Sequence, residues 1–177
     1  MVTADRNYGK GHAVGLGMAD ATGDYALYTD CDLAYGLEVI GKAAETIVEK
    51  KSDILIGSRN LAAGGYEGYT FIRKLASKMY IKILCLYAGF RLSDSQCGFK
   101  CFRREVGQVL FAQNGTDGWA FDIEILLRAM RAGYTITEFP VKILRHRESK
   151  IHLLRDSMRM LSDIRKIKRR LRAEKQR

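Results

Sequence analysis

The chain has 177 residues, 47% hydrophobic and 28% charged, which suffices for one ordinary domain with a core and excludes wholesale disorder. It holds neither a run of 18 apolar residues nor a leader that joins a basic start to an apolar stretch, which argues against a membrane span or a secretory signal within it. Its formal charge of +10 is uneven: residues 145–177 carry 13 Lys/Arg and 4 Asp/Glu, residues 1–144 carry 17 and 16, so the C-terminal segment suits an anionic partner, nucleic acid or a membrane surface.

In chain order, Asn7-Tyr8-Gly9-Lys10-Gly11 is a glycine-rich turn that enters a small-residue helix reaching Ala21, ended by Thr22-Gly23-Asp24. Tyr25–Thr29 reads as a short buried strand stopped by Asp30-Cys31-Asp32. Leu37, Ile40, Ala44, Ile47 and Val48 then recur at helical spacing through Lys50, and Asp53–Gly57 is the next strand. Strand, helix, strand at this spacing predicts a βαβ unit and a largely parallel sheet. Ser58 to Tyr69 is a glycine-rich loop, long enough to bind a ligand. Ile72, Leu75, Met79, Ile83 and Leu86 form one face of a helix ending near Gly89, and Phe99–Phe102 is a short strand. Phe121–Ala132 is helical with Gly133 at its C′ position; Tyr134–Ile143 is extended and contains the single proline, Pro140, suited to an edge or a strand end. Ile151, Leu154, Met158, Leu161, Ile164, Ile167 and Leu171 mark a final amphipathic helix with its cations on the other face. The expected organisation is one domain over 1–144 and a basic amphipathic helix within 145–177. A doubly wound sheet normally begins with a strand, so the glycine turn at the front suggests that the first strands are missing.

Several segments could carry chemistry, each with a plainer alternative. Asp30 and Asp32 flank Cys31 where a strand ends; in an extended chain both carboxylates project to one side, where they could hold Mg2+ or Mn2+ against a diphosphate, or they could merely cap the next helix. Gly9-Lys10-Gly11 could cradle a phosphate or be a tight turn with a solvated lysine. Asp94-Ser95-Gln96-Cys97-Gly98-Phe99-Lys100 is richer in hydrogen-bonding groups than a connector needs, although a turn built on Asp94 would look alike. Asp122 and Glu124 open a helix, either complementing its dipole or serving a site, and their spacing points one inward and the other outward. Arg59, Arg73 and the cluster Arg145, His146, Arg147, Ser149 and Lys150 are candidate anion ligands, although any single arginine could equally be a plain surface residue. The four cysteines form no C-x-x-C pair and lie apart from the histidines, so they read as free thiols rather than a zinc site, with Cys97 and Cys101 as packing residues.

Taken in order, Asn7-x-Gly9-Lys10-Gly11, Thr22-Gly23-Asp24, Asp30-x-Asp32-Leu33, Gly57-Ser58-Arg59, Asp94 to Lys100, Trp119-Ala120-Phe121-Asp122-x-Glu124 and Ser149-Lys150 resemble family 2 glycosyltransferases of the dolichyl-phosphate sugar synthase type. The Gln96-Cys97-Gly98-Phe99-Lys100 string leans towards the β-glucosyl branch. The resemblance implies a GT-A-like α/β fold, a three-layer αβα sandwich on a mostly parallel mixed sheet, here lacking its first strands. It implies inverting transfer of a hexose, glucose in the favoured reading, from UDP-glucose or GDP-mannose to a polyprenyl phosphate, with Mg2+ or Mn2+ as cofactor. Lys10, Asp30, Asp32, Asp94 and Gln96 would bind the donor, Asp30 and Asp32 the metal, and Arg59, Arg73, Ser149 and Lys150 the acceptor; Asp32 and Asp122 would be the catalytic pair. The basic helix would rest on an anionic membrane surface, placing the protein peripherally at a cytoplasmic face. Nucleic acid is disfavoured because residues 145–177 contain no Phe, Tyr or Trp to stack on bases. The alternatives are mannosyl transfer to the same acceptor, or an inactive domain that binds membrane or nucleic acid through its basic helix.

Overall fold

The computed structural model describes residues 2–144 and 153–174. Its elements are α1 (Lys10–Ala19), β1 (Tyr25–Thr29), α2 (Glu38–Glu49), β2 (Ile54–Ser58), α3 (Phe71–Ala88), β3 (Phe99–Arg103), α4 (Arg104–Ala112), α5 (Phe121–Ala132), β4 (Ile136–Pro140) and α6 (Leu153–Glu174). Gly89 and Gly133 take the left-handed conformation that ends α3 and α5, and Pro140 closes the edge strand β4.

The four strands lie in the order β1-β3-β2-β4. Three run in one direction; β3 runs against both of its neighbours, and only β2 and β4 pair in parallel. The expected βαβ unit is therefore modified: β1 and β2 do run the same way, but β3 is inserted between them. Side chains alternate across the sheet. Ile54 and Ile56 of β2 and Phe102 of β3 join a core beneath α1, α3, α4, α5 and α6, while Leu55, Phe99 and Cys101 face α2 through Ala43 and Ile47. The central strand β2 is buried at every position, which explains its unbroken apolar run.

Helix α4 has no counterpart among the elements expected from the sequence. It follows β3 without a loop, and Gly107 in its interior reads as a helix breaker. A Cβ at Gly107 would stand 2.5 Å from the Met18 sulfur, so the glycine is there to let α4 approach α1. Two amphipathic faces also differ from the expectation. Met160, Ile164, Ile167 and Leu171 of α6 are buried in the core, so its apolar face is not available to a bilayer. In α3 the buried residues are Ile81, Leu84, Cys85 and Ala88, whereas the regularly spaced Ile72, Leu75, Met79, Ile83 and Leu86 are exposed. No helix among the described residues is long and apolar enough to cross a membrane.

Candidate active site

The carboxyl ends of β1, β2 and β4 and the amino end of β3 meet at one edge of the sheet, the usual ligand-binding edge of an open α/β fold. Thr29 is opposite Phe99 there, so the turn after β1 lies beside the loop before β3. That turn is not extended. The Leu33 amide donates to the Asp30 carbonyl at 3.0 Å and Leu33 has φ of 49°, so Asp30 to Leu33 form a tight reversal with Cys31 exposed. The extended backbone that would co-direct the two carboxylates is thus absent, although both aspartates remain partly exposed at the edge. Asp30 Oδ1 accepts from Lys10 Nζ at 2.5 Å, and Asp32 Oδ1 accepts from the Ala34 amide at 3.1 Å. The Lys10 ammonium also stands 5.4 Å from the ring centroid of the exposed Trp119. Gly98 presses against the other Asp30 oxygen so closely that a Cβ would lie 2.0 Å from it. Asp30 is therefore clamped between a cation and a backbone that tolerates no side chain.

Arg59 and Asp94, assigned above to acceptor and donor, form one ion pair. Arg59 Nε and Nη2 donate to the two Asp94 oxygens at 2.6 and 2.9 Å, and the Arg59 amide adds a bond of 3.2 Å. Asp94 is fully buried. Burial alone would lower the Arg59 pKa, but the hydrogen bonds and charge of Asp94 outweigh it and raise the pKa well above its ordinary value. Glu138 of β4 braces this loop by accepting from the Ser93 amide and hydroxyl at 2.8 and 2.5 Å and from the Asp94 amide at 3.2 Å. Gln96 keeps a buried amide nitrogen with no hydrogen-bond partner among the described residues. Arg73, in the first turn of α3, stacks 4.3 Å from the Tyr69 ring centroid, while Arg59 and Lys78 lie 5.3 and 5.8 Å from that of Tyr66.

Asp122 and Glu124 do not divide into one inward and one outward group: both are buried, in different directions. Asp122 pairs with Lys100 Nζ at 2.9 Å and accepts a short hydrogen bond from the Tyr28 hydroxyl. Burial, and then the Asp122 charge, push the Tyr28 hydroxyl pKa well up. Glu124 accepts from Arg128 Nε at 2.9 Å, Thr116 Oγ1 at 2.6 Å, the Gly115 amide at 3.2 Å and Arg170 of α6. Ser149 and Lys150, with Arg145 and Arg147, lie outside the described residues.

Lys100 and Tyr28 were not assigned roles from the sequence. A lysine inside the apolar run Phe99–Phe102 was the available signal, since a buried ammonium needs a carboxylate. The register places Tyr28 directly opposite it. Among the described residues no group of three or more His, Cys, Asp or Glu is gathered. The oxygen donors that could hold a hard cation are the two carboxylates of the 30–33 turn, which fits a Mg2+-like ion that completes its shell with water and phosphate oxygens.

Residues 1–111 match the family model "Glycosyl transferase family 2". The chain is 32% identical over 161 residues to glycosyltransferase AglD of Haloferax volcanii, covering 91% of this chain and 26% of that protein. It is 31% identical over 176 residues to dolichyl-phosphate beta-glucosyltransferase of Saccharomyces cerevisiae, covering 93% of this chain and 53% of that one. It thus spans about half of the yeast relative and a quarter of the archaeal one. Among solved structures, glucosyl-3-phosphoglycerate synthase of Mycobacterium tuberculosis with Mn2+, UDP and glucosyl-3-phosphoglycerate superposes with a TM-score of 0.62 at 18% identity, over 88% of this chain and 53% of that one. The fold is accordingly of the GT-A type.

Proposed function

The chain belongs to glycosyl transferase family 2, and on that footing we propose that it moves glucose from a nucleotide sugar to a polyprenyl phosphate with inversion at the anomeric carbon. The observation that carries this reading is the clamped Asp30, held between Lys10 and Gly98 on the ligand-binding edge, beside the Asp94–Arg59 pair. The similarity to proteins named dolichyl-phosphate beta-glucosyltransferase selects the sugar and the acceptor. Asp30 and Asp32 would hold Mg2+ or Mn2+, which when bound supplies positive charge to a departing nucleoside diphosphate. Lys10 brings a further positive charge to the same place. Arg73, stacked on Tyr69, and Arg59 would orient the acceptor phosphate.

One phosphate oxygen of the acceptor forms the new bond to the anomeric carbon as the bond to the nucleoside diphosphate breaks. That oxygen is already anionic, so no strong general base is required. The arrangement of Asp122 agrees with this: held by Lys100 and the Tyr28 hydroxyl, it acts as a positioning residue rather than a base. A lipid-linked acceptor would keep the protein at a membrane surface. The test is transfer of radiolabelled glucose from UDP-glucose into solvent-extractable dolichyl phosphate, with GDP-mannose as the competing donor. Asp32→Asn should lower the glucose signal by roughly a hundredfold or more. Transfer from GDP-mannose instead, or a signal untouched by Asp32→Asn, would overturn the reading.

A further inference from the structure

The turn that holds Lys10 leans on residues 115–119, the stretch between α4 and α5. The Gly11 amide donates to the Asp117 carbonyl at 2.8 Å. A Cβ at Gly9 would lie 2.4 Å from that carbonyl oxygen, and one at Gly11 2.6 Å from the Thr116 carbonyl oxygen, so backbone rests on backbone. Trp119 then stands beside the Lys10 ammonium, which reaches Asp30 at 2.5 Å. A shift of this stretch is passed to Lys10 with no side chain between them to absorb it. Residues 115–119 lie outside any helix or strand, and what fixes them comes from α5 and α6. Glu124 accepts from the Gly115 amide and the Thr116 hydroxyl. Arg170 of α6 donates to the Gly115 carbonyl and the Thr116 hydroxyl oxygen, each at 3.0 Å, and joins the Glu124 carboxylate. The fit is close: a Cβ at Gly115 would stand 2.7 Å from the Arg170 guanidinium.

We propose that Arg170 is a positioning residue of the donor site: from near the end of α6 it fixes residues 115–119, and so holds the Lys10 ammonium where a donor diphosphate meets Asp30. That a diphosphate binds there rests on the functional reading above; the bracing of Lys10 does not. Two residues at opposite ends of the chain, Lys10 and Arg170, are thereby joined through one short stretch of backbone. The plainer alternative is that Arg170 only staples α6 to the domain. A second staple tells the two apart. Arg128 and Glu174 also tie α6 to α5, at 2.9 Å, but neither bonds to residues 115–119. If attachment of α6 were all that mattered, loss of either staple would have the same effect. If Arg170 works through Lys10, only its loss reaches the donor.

The test is a double-mutant cycle on the 177-residue chain, read by the emission of Trp119, its single tryptophan, and by the binding of UDP with Mn2+. Without ligand, Arg170→Met should reproduce at least about half of the change in Trp119 emission that Lys10→Met causes, because the ammonium leaves the ring in both. Arg170→Met should weaken UDP binding and raise the UDP-glucose KM about tenfold, with the dolichyl-phosphate KM within about twofold of the parent. Added to Lys10→Met, it should weaken UDP binding by less than about twofold more, since Lys10 is the group through which it acts. Arg170→Lys, which keeps a cation, should bind UDP within about threefold of the parent, and Glu174→Gln within about twofold. Arg128 still pairs with Glu124 in Arg170→Met, so the buried carboxylate keeps a partner and thermal melting serves as the folding control. The proposal is overturned if Arg170→Met leaves Trp119 emission unchanged, if its loss and that of Lys10→Met simply add, or if Glu174→Gln matches it. A parent chain that binds no UDP would overturn the functional reading and with it the donor role of Arg170, while the ligand-free emission would still decide the bracing of Lys10.

Discussion

At Gly98 an added methyl group would meet the Asp30 carboxylate at 2.0 Å, and the short aspartate side chain can escape only by turning away from Lys10. Gly98→Ala should therefore lower sugar transfer by roughly a hundredfold, because a displacement of an ångström at a reacting centre is enough for that. The nearest atoms to the added methyl all belong to Asp30, which is partly exposed and free to give way, so melting should shift by no more than a few degrees. Transfer assays paired with a melting curve check both halves. Lys100 answers to a different rule. Lys100→Met would leave Asp122 buried without its cation, a loss expected to cost about 3–5 kcal/mol in urea unfolding. Lys100→Met/Asp122→Asn should recover more than half of that, since neither charge then remains. The sequence exposed Lys100 as an anomaly in an apolar strand but could not name its partner, because Asp122 comes from the start of another helix and meets it only once β3 and α5 have packed. Asp94 shows the same limit. Its richness in hydrogen-bonding neighbours was visible, yet its bidentate bond to Arg59 joins residues 35 apart, and two groups given to different substrates prove to be one unit.

Helix α6 illustrates what periodicity conveys at the level of elements. Spacing shows that a helix has an apolar face; it does not say which surface the face meets. Helices α3 and α6 both carry such faces, and the structure sinks the stripe of α6 while leaving that of α3 outside. The second apolar row of α3, Ile81, Leu84, Cys85 and Ala88, is shorter and was masked by the more regular one. Ile164 is fully buried in the shared core, so Ile164→Ala should destabilise the protein by about 2–5 kcal/mol in urea unfolding. If α6 were instead a loosely attached arm, the cost would be near zero. Its charged side is tied down as well: Arg170 joins the Glu124 carboxylate, and Arg128 reaches both Glu124 and Glu174 at 2.9 Å. The boundaries of β1, α3 and α5 could be read closely because turn residues and glycines mark them. Helix α4 could not, since its breaker-like Gly107 serves an interhelical contact that exists only in the folded chain.

Across the whole molecule, the order of short motifs along the chain identified the fold type before any element was placed, whereas the reversed β3 between β1 and β2 followed from no local signal. One consequence of that insertion is global. By lying between two strands, β3 puts Cys101 and the preceding Cys97 under α2, where burial raises both thiols from near 9 to about 11; for Cys97 the neighbouring Asp94 adds to the effect. A folded-state pKa above the unfolded value means that the native protein keeps protons which the unfolded chain releases. The contribution to stability is thus complete below about pH 9 and is lost as the pH climbs towards 11, at up to about 2–3 kcal/mol for each thiol. Urea midpoints measured at pH 8 and at pH 10.5 should differ in that direction. Cys97→Ala/Cys101→Ala should be less stable than the parent at pH 8, because it leaves small cavities, and should lose less between the two pH values. Iodoacetamide at pH 8 should meanwhile label the exposed Cys31 in the native protein and reach the buried Cys85, Cys97 and Cys101 only after unfolding. Rapid labelling of Cys97 in the folded chain would show that the sheet edge behind Asp94 is open to solvent, and the alkaline loss of stability would then have to come from other groups.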